Sequence, residues 1–324
     1  MTGAGTTTPL HIVVTGGAGF IGSHLCDVLL ARGHQVLAID DLSLGSRANL
    51  ASALAQPGFR LEVLDLCDRG KLAAVFAARR FDAVFHLAAN SDIRAGMSDP
   101  SVDVRRTLDT TLATLEQCAR TGVAQFFLAS TSAVYGETGA EPIDEDHGPL
   151  LPISYYGAAK LAAEAFVSVY HHQSGMRTWV ARFPNVVGPR ATHGAIFDFL
   201  AKLERDPTCL PVLGDGTQCK PYLLVDDLVE AMLVGWQRLD GTHSVFQVGP
   251  DSMTTVATLA QEVVRRVAPG ARIVYSGGDR GWPGDVPQFS YDTSRLRAVG
   301  WSTPRSSDEA VIVAIDRIAR ERGL

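Results

Sequence analysis

A glycine-rich turn directly after the first apolar segment constrains this chain more than any other feature. Residues 11–15 form a short apolar run that continues into Gly16-Gly17-Ala18-Gly19-Phe20-Ile21-Gly22. Glycines at this three-residue spacing allow a tight turn and let a pyrophosphate approach the backbone closely. The helix predicted after the turn offers unpaired N–H groups and a partial positive charge. The pattern therefore predicts a dinucleotide-binding strand, turn and helix at the start of the fold.

Short apolar runs alternate with longer amphipathic stretches up to residue 184. This alternation predicts a doubly wound α/β fold, a parallel sheet covered by helices on both faces. Strands are predicted at 11–15, 35–39, 60–64, 83–87, 125–130 and 178–182, and helices at 19–31, 69–79, 102–121 and 155–174. The rest is richer in Pro and Gly, with helices near 194–205, 226–238, 254–267 and 306–322. We expect a disordered tail at 1–9, a cofactor-binding domain at 10–184 and a smaller lobe, mainly for substrate binding, at 185–324. Some segments of that lobe are expected to return to the first domain.

Composition argues against several classes of function. The 324 residues carry a formal net charge of −6, whereas binders of nucleic acid or anionic membranes need clustered Lys and Arg. No apolar run reaches the roughly 18 residues of a membrane span, and residues 1–9 show no signal-peptide pattern. The five Cys have no C-x-x-C spacing. We therefore expect reduced thiols, no metal site and a cytoplasmic protein.

Two acidic residues follow the second predicted strand. An acidic side chain at this place hydrogen-bonds the adenosine ribose hydroxyls and repels a 2′-phosphate, so the sequence favours NAD over NADP. We assign this role to Asp40 rather than to Asp41. The alternative interpretation is that one or both residues only begin the turn that follows, and for Asp41 this is the preferred interpretation.

A tyrosine and a lysine share one face of the helix predicted at 155–174. Tyr156 and Lys160 are four residues apart, and an ammonium group beside a phenol lowers the pKa of the phenol toward neutrality. Tyr156 then becomes a usable proton acceptor. Ser130-Thr131-Ser132 ends the fifth predicted strand and supplies hydroxyl groups that could reach the same reacting oxygen. Alternatively, these hydroxyls only cap the following segment.

Taken together and in order, these motifs resemble those of extended short-chain dehydrogenase/reductases, in particular the nucleotide-sugar epimerase/dehydratase family of the UDP-glucose 4-epimerase type. The resemblance covers about residues 10–320. It implies a Rossmann fold, NAD as cofactor, a nucleotide-sugar substrate and a homodimer formed through helices 102–121 and 155–174. The motifs that carry it are VTGGAGFIGSHL from Val14, DDLSLGSRANL from Asp40, HLAA from His86, STSAVYG from Ser130, YYGAAK from Tyr155, RFPNVVGPR from Arg182, LGDGTQCKPYLLVDD from Leu213 and GWPGDVP from Gly281.

The resemblance also implies roles for individual positions. Tyr156 is the acid/base, Thr131 binds the same oxygen, and Lys160 also contacts the nicotinamide ribose. The cofactor-binding positions are Gly16, Gly19, Phe20, Ile21 and Gly22 at the pyrophosphate, Asp40 at the ribose, Asp65 and Leu66 beside the adenine, and Leu87, Ala88 and Ala89 along the dinucleotide. The expected substrate-binding positions are Thr131, Ser132, Tyr156, Asn185, His193, Lys220, Arg280 and Phe289.

The two residues after Thr131 favour one reaction of the family. Related 4,6-dehydratases carry Asp-Glu there, and related decarboxylases keep a Glu at the second position, whereas this chain has Ser132 and Ala133. An epimerase needs no second acid/base, because one tyrosine removes and returns the same proton. We therefore expect epimerisation at C4 of a nucleotide sugar through a transient 4-keto intermediate, with hydride passing to NAD and back. Dehydration, decarboxylation, net reduction and cofactor binding without turnover are the alternatives.

The sequence constrains the substrate less than the reaction. At the two positions where the family binds the substrate diphosphate with arginine, this chain has Lys220 and Trp282, and Arg280 lies two residues before the tryptophan. A lysine supplies charge without the bidentate geometry of a guanidinium. Phe289 aligns with a bulky residue that excludes N-acetyl sugars in related epimerases. The nucleotide base and the sugar, whether neutral, uronic or unusual, stay open.

Overall fold

A seven-stranded parallel sheet forms the centre of the computed structural model, which describes residues 8–139, 141–281, 286 and 288–324. The strands are β1 (His11–Thr15), β2 (Gln35–Asp40), β3 (Phe59–Val63), β4 (Ala83–His86), β5 (Gln125–Thr131), β6 (Pro142–Ile143), β7 (Arg177–Phe183), β8 (Asn185–Val187), β9 (Cys209–Val212), β10 (Cys219–Lys220), β11 (Tyr222–Leu224), β12 (His243–Gln247), β13 (Thr254–Thr255), β14 (Arg272–Tyr275) and β15 (Ser290–Tyr291). The main sheet has the order β12-β7-β5-β4-β1-β2-β3, and its neighbouring strands are all parallel. The predicted fold class is confirmed.

Helices cover both faces of this sheet. They are α1 (Phe20–Ala31), α2 (Ala51–Leu54), α3 (Arg69–Ala78), α4 (Ile93–Ser98), α5 (Pro100–Asp103), α6 (Thr110–Thr121), α7 (Tyr155–Ser174), α8 (Ala195–Arg205), α9 (Val225–Arg238), α10 (Val256–Val267), α11 (Ser294–Ala298) and α12 (Ser307–Arg322). One buried apolar cluster joins α1 and α9 to the sheet, and a second joins α3, α6 and α7 to it. Because both faces are covered, the inner strands are apolar on both sides, as their sequences predict.

The strand order reverses between β1 and β4, which places a crevice at the carboxyl ends of these strands. From β1 the chain proceeds outward to β2 and β3, and it then crosses back to β4 on the other side. The loops after β1 and β4 therefore leave the sheet in opposite directions. In open α/β sheets this point of reversal is where ligands bind.

Local capping sets the limits of α7, the helix that carries the Tyr-x-x-x-Lys pair. The Ser154 hydroxyl accepts a hydrogen bond from the Gly157 N–H at 3.1 Å and so begins the helix. Gly175, with φ of 71°, ends it in the left-handed conformation that glycine adopts readily. The helix spans 155–174, as predicted.

The helix predicted at 102–121 is interrupted. The structure forms α5, then a π-helical turn over Val104–Asp109, and then α6. Threonine hydroxyls bond to carbonyls one turn earlier, from Thr110 to Arg106 at 2.8 Å and from Thr111 to Thr107. Such side-chain bonds compete with the regular backbone pattern and bend helices. The interruption turns Arg105 and Arg106 toward the crevice, a feature that periodicity does not reveal.

The chain after residue 184 forms a smaller lobe and also returns to the main sheet. The lobe packs α8, α10 and α12 around a third apolar cluster, with short strand pairs beside it. Strand β12 leaves this lobe and pairs with β7, placing Val245 opposite Val180. Within the residues that the structure describes, no helix is long and apolar enough to cross a membrane.

Candidate active site

A cavity of about 680 Å³ opens at the crevice and extends from the glycine-rich turn to the smaller lobe. Every predicted site residue belongs to the described part of the chain, and of these only Arg280 does not line the cavity. The predicted positions that do line it are Gly16, Gly19, Phe20, Ile21, Gly22, Asp40, Asp65, Leu66, Leu87, Ala88, Ala89, Thr131, Ser132, Tyr156, Lys160, Asn185, His193, Lys220 and Phe289.

The glycine-rich turn leaves bare backbone at the mouth of α1. Gly16 has φ of +67°, and a β-carbon on it would lie 2.8 Å from the Ala88 nitrogen, so the turns after β1 and β4 touch only because Gly16 has no side chain. A β-carbon on Gly22 would collide with the Gly16 carbonyl oxygen. Gly19 caps α1 without any side-chain hydrogen bond to the first helical N–H groups. These residues fit the pyrophosphate of NAD and would hold it at the helix N-terminus.

Asp40 is fixed at the adenosine end of the cavity. Its carboxylate accepts hydrogen bonds from the Ala18 N–H and the Leu42 N–H, both at 2.9 Å, and the residue is 7% exposed. Burial raises the pKa of Asp40, and these two N–H groups lower it. Asp41 instead accepts from the Ser43 N–H at 2.9 Å, which is the turn-initiating role preferred for it. Asp40 therefore lines the cavity with a fixed carboxylate at the position predicted for ribose binding.

Two arginines of the π-helical turn border the same end of the cavity. The Arg105 guanidinium pairs with the Asp65 carboxylate at 2.8 Å, and Arg106 donates to the Ser43 hydroxyl, also at 2.8 Å. The second oxygen of Asp65 accepts from the Cys67 N–H at 2.9 Å. These contacts tie the turns after β2 and β3 to the π-helical turn around the predicted adenine position.

Tyr156, Lys160 and Thr131 meet where α7 passes the end of β5. Lys160 is 2% exposed and its Nζ donates to the Ala129 carbonyl at 2.7 Å. Burial lowers the pKa of Lys160 to about 8, and the Glu164 carboxylate raises it. Burial raises the pKa of Tyr156 to about 12, while hydrogen bonding by Thr131 lowers it.

The expectation that the phenol of Tyr156 already titrates near neutrality is therefore wrong for this structure. The Lys160 ammonium donates to the backbone of β5, and the negative charge of Asp103 raises the pKa of Tyr156 further. Desolvation of the phenolate outweighs the favourable Thr131 contact. Sequence spacing places the two side chains on one face, but it does not report how deeply that face is buried.

The substrate side of the cavity is lined by residues of the smaller lobe. Asn185 follows β7, and its buried Nδ2 has no hydrogen-bond partner among the described residues. Phe289 is 6% exposed and forms part of the wall. Arg280 forms an ion pair with Glu137 at 2.6 Å, so of the two predicted diphosphate-binding cations Lys220 reaches the cavity. Trp282 lies outside the described residues.

Three buried ionisable groups lie beside the site: His86, which the sequence suggested to be packed beside the cofactor rather than catalytic, and Asp103 and Glu164, which were not predicted. The two ring nitrogens of His86 are hydrogen-bonded to hydroxyl groups, Nδ1 to that of Thr15 at 2.8 Å and Nε2 to that of Thr111 at 3.1 Å. Burial lowers the pKa of His86 to about 3. Asp103 is 1% exposed and binds Asn90 at 2.8 Å. Glu164 pairs with Arg182 beneath β5. The i, i+4 spacing from Lys160 to Glu164 was the one visible sign of the last group.

Comparison with known proteins identifies the family of this chain and several similar proteins. The model of the NAD dependent epimerase/dehydratase family matches residues 12–249. The UDP-glucose 4-epimerase of Mycolicibacterium smegmatis is 32% identical over 95% of this chain and 98% of its own. UDP-glucuronic acid decarboxylase 1 of Arabidopsis thaliana is 33% identical over 82% of this chain and 60% of its own. A crystal structure of a UDP-galactose 4-epimerase superposes with a TM-score of 0.85 at 37% identity, covering 96% of this chain and 99% of that one.

Proposed function

Because the chain belongs to the NAD-dependent epimerase/dehydratase family of nucleotide-sugar enzymes, we propose that it inverts C4 of a nucleotide-activated sugar. Bound NAD supplies the acceptor and donor of hydride at that carbon. The observation that carries the proposal is the convergence of Tyr156, Lys160 and Thr131 in a cavity where Ser132 and Ala133 follow the threonine. Neither of these two side chains can serve as the extra acid or base that elimination of water needs.

Each residue of the site has its own role in the proposed reaction. Thr131 hydrogen-bonds the 4-oxygen of the sugar, and Tyr156 takes the proton of the 4-hydroxyl and later returns it. Since burial raises the pKa of Tyr156 to about 12, the ammonium of Lys160 must favour the phenolate for this transfer to occur near neutral pH. The unpartnered Nδ2 of Asn185 is a donor for a polar group of the substrate. Lys220 supplies positive charge toward the diphosphate.

The test is a product analysis on protein purified without added NAD. We expect a panel of UDP, GDP, ADP, CDP and dTDP sugars, neutral and uronic, to yield by NMR one isomer of unchanged mass that is inverted at C4. Loss of water or carbon dioxide from a substrate would replace the proposal with the dehydratase or decarboxylase reaction. A requirement for stoichiometric added reductant would identify a reductase.

A pair of neighbouring tyrosines gives a matched control. Tyr156→Phe removes the acid/base hydroxyl, so we expect turnover to vanish while bound NAD is retained. Tyr155→Phe removes the hydroxyl of the adjacent tyrosine, whose side chain faces away from the cavity and is 48% exposed, and it is expected to leave turnover intact. Normal turnover in Tyr156→Phe would refute the role of this residue.

We propose further that two copies of the chain associate through α7 and the helical segments over 102–121. Large apolar side chains are exposed along one face of α7, at Tyr155 (48%), Phe166 (40%) and Val169 (51%). Val104, in the π-helical turn, is 50% exposed. An apolar stripe of this kind on paired helices is typical of a surface covered in an oligomer. Light scattering should give twice the chain mass, and Phe166→Asp with Val169→Asp should give the monomer.

A further inference from the structure

We propose that Glu164 is a positioning residue of this site: it fixes the end of β5 against α7 and keeps the ammonium of Lys160 charged beside Tyr156. The inference rests on the role proposed above for Tyr156 and Lys160. It extends that role to a residue that lies outside the cavity and touches neither cofactor nor substrate. Its basis is a set of contacts between one helix and one strand.

Three residues of α7, spaced by four, meet three consecutive residues of β5. Tyr156 and Thr131 line the same cavity, and the Thr131 hydroxyl lowers the pKa of the phenol. The Lys160 Nζ donates to the Ala129 carbonyl at 2.7 Å. Between them in sequence, the Ser130 hydroxyl donates to the Glu164 carboxylate. Residues i, i+4 and i+8 of a helix lie along one face, so the strand end faces three successive turns of α7 and is hydrogen-bonded to two of them, at Lys160 and Glu164.

The Glu164 contact is anchored from a second strand. Arg182 of β7 binds the Glu164 carboxylate through Nε, at 3.2 and 3.3 Å, and through Nη2, at 2.8 Å. The same guanidinium donates to the Tyr135 hydroxyl at 2.7 Å and to the Glu145 carbonyl at 3.1 Å. Glu164 is 7% exposed and Arg182 is 5% exposed. A buried, bidentate pair that also bonds to neighbouring groups has a defined geometry.

The negative charge of Glu164 raises the pKa of Lys160. Burial alone disfavours the ammonium, and the carboxylate one turn further along α7 opposes that effect. The other ionisable groups facing this region are His86 on β4, Asp103 at the end of α5, Tyr156 on α7 itself, Arg182 on β7, His243 on β12 and Tyr291 on β15. Of these, His86 is neutral because burial lowers its pKa to about 3, so it adds no charge that would change the pKa of Lys160.

A purely structural role for the Glu164–Arg182 pair makes a different prediction. If the pair only braces β5, β7 and α7, replacing Glu164 lowers stability and lowers activity by the same factor at every pH. If the negative charge of Glu164 favours the protonated form of Lys160, replacing Glu164 with a neutral residue lowers the pKa of Lys160. This second effect is present without substrate, so it is measurable even where the proposed epimerase reaction is wrong.

The chain offers a direct measurement because it contains only four lysines, Lys71, Lys160, Lys202 and Lys220. With [¹³C]lysine-labelled full-length protein, the Cε signals titrate individually by NMR, and Lys160→Arg identifies the Lys160 signal. We expect Glu164→Gln, which keeps the shape and much of the hydrogen bonding, to lower the pKa of Lys160 by about 1 or more. Glu164→Asp keeps the charge and should restore much of the original value.

Glu145→Gln is the matched control. Glu145 is a second buried carboxylate of the same region, and it accepts from the Gln247 N–H at 2.9 Å and pairs with Arg295. It does not contribute to the pKa of Lys160, so its replacement should leave that value unchanged. Activity against pH gives a second measurement. The kcat of Glu164→Gln should be about fivefold below that of the parent protein at pH 8 and nearly equal to it at pH 6. The reason is that the charged fraction of Lys160 falls only above its new, lower pKa.

An unchanged Lys160 pKa in Glu164→Gln would overturn the proposal, as would an equal decrease in Glu145→Gln. Where Glu164→Gln does not fold, the double variant Glu164→Gln/Arg182→Gln avoids an unpaired buried charge. A smaller decrease in the pKa of Lys160 is expected there, because removing the Arg182 cation offsets part of the effect. A lowered pKa together with the absence of any epimerase product would sustain the role of Glu164 and reject the proposed reaction. The two ideas therefore fail separately.

Discussion

Replacing Gly157 with alanine tests how closely α7 must approach the end of β5. A β-carbon at this position would lie 2.5 Å from the Ala133 carbonyl oxygen and 2.9 Å from the Pro152 Cβ. The oxygen belongs to the backbone of the turn that directly follows Thr131, and a carbon–oxygen contact needs about 3.3 Å. The helix start must therefore move away from this turn by about 0.8 Å, the difference between about 3.3 Å and the 2.5 Å available.

The steric clash and helix propensity change the free energy of unfolding of Gly157→Ala in opposite directions, so the sign of the change shows which effect is larger. Within a helix, Gly→Ala alone stabilises by about 1 kcal/mol. Overpacking against fixed backbone costs about 1–3 kcal/mol. The sum predicts Gly157→Ala to be destabilised by up to about 2 kcal/mol. Tyr156 moves with the helix while Thr131 stays on β5, and a displacement near 1 Å between groups that act on one atom lowers kcat by about 10²-fold.

The assays are denaturant unfolding, NAD content and kcat on whichever nucleotide sugar the protein accepts. Gly70→Ala in α3 is the control, since its β-carbon would lie at an ordinary 3.7 Å from the Asp68 carboxylate. It should stabilise by up to about 1 kcal/mol and leave kcat unchanged. If Gly157→Ala is also more stable than the parent protein and keeps its kcat, the close approach of α7 is unnecessary and the reasoning is refuted.

Three further outcomes follow from groups around the cavity. Because the negative charge of Asp103 raises the pKa of Tyr156, Asp103→Asn should shift the alkaline rise of kcat to lower pH; an unmoved profile would contradict the coupling. Asp40→Ala leaves two backbone N–H groups unpaired and removes the ribose partner, so the protein should purify with less NAD, by absorbance at 260 nm, whereas Asp41→Ala should not. Cys67 lines the cavity, so bound NAD should slow its alkylation by iodoacetamide, as followed by peptide mass spectrometry; equal rates would place the cofactor elsewhere.

The fold was predictable because its signals are local. The first apolar strand runs directly into the glycine-rich turn, so the strand and the turn can both be read from adjacent residues of the sequence. Helix α7 has a serine cap and a terminal glycine, so its limits follow from capping rules. The largely apolar inner strands are typical of a parallel sheet. These properties depend on neighbouring residues, which is the information a single sequence carries.

The remaining features depend on contacts between distant segments. The pairing of Glu164 with Arg182 joins residues 18 positions apart on different elements, and the Arg280–Glu137 pair joins loops whose relative position only packing decides. The return of β12 to the main sheet is equally non-local. Desolvation around the phenol raises the pKa of Tyr156, which spacing alone does not reveal, because desolvation is a property of the assembled site.

The two backbone donors that hold Asp40 have a consequence for cofactor exchange. Both carboxylate oxygens are already engaged by the turns that flank them, at Ala18 and Leu42. The turns are thereby preorganised, and their conformational entropy is lost when the chain folds rather than when the dinucleotide arrives. The contacts made by the adenosine part of the dinucleotide then contribute fully to its affinity, because the turns around Asp40 do not have to be ordered on binding. Such a site suits slow release of the dinucleotide, which the proposed reaction requires because it returns NAD to its starting oxidation state in each turnover.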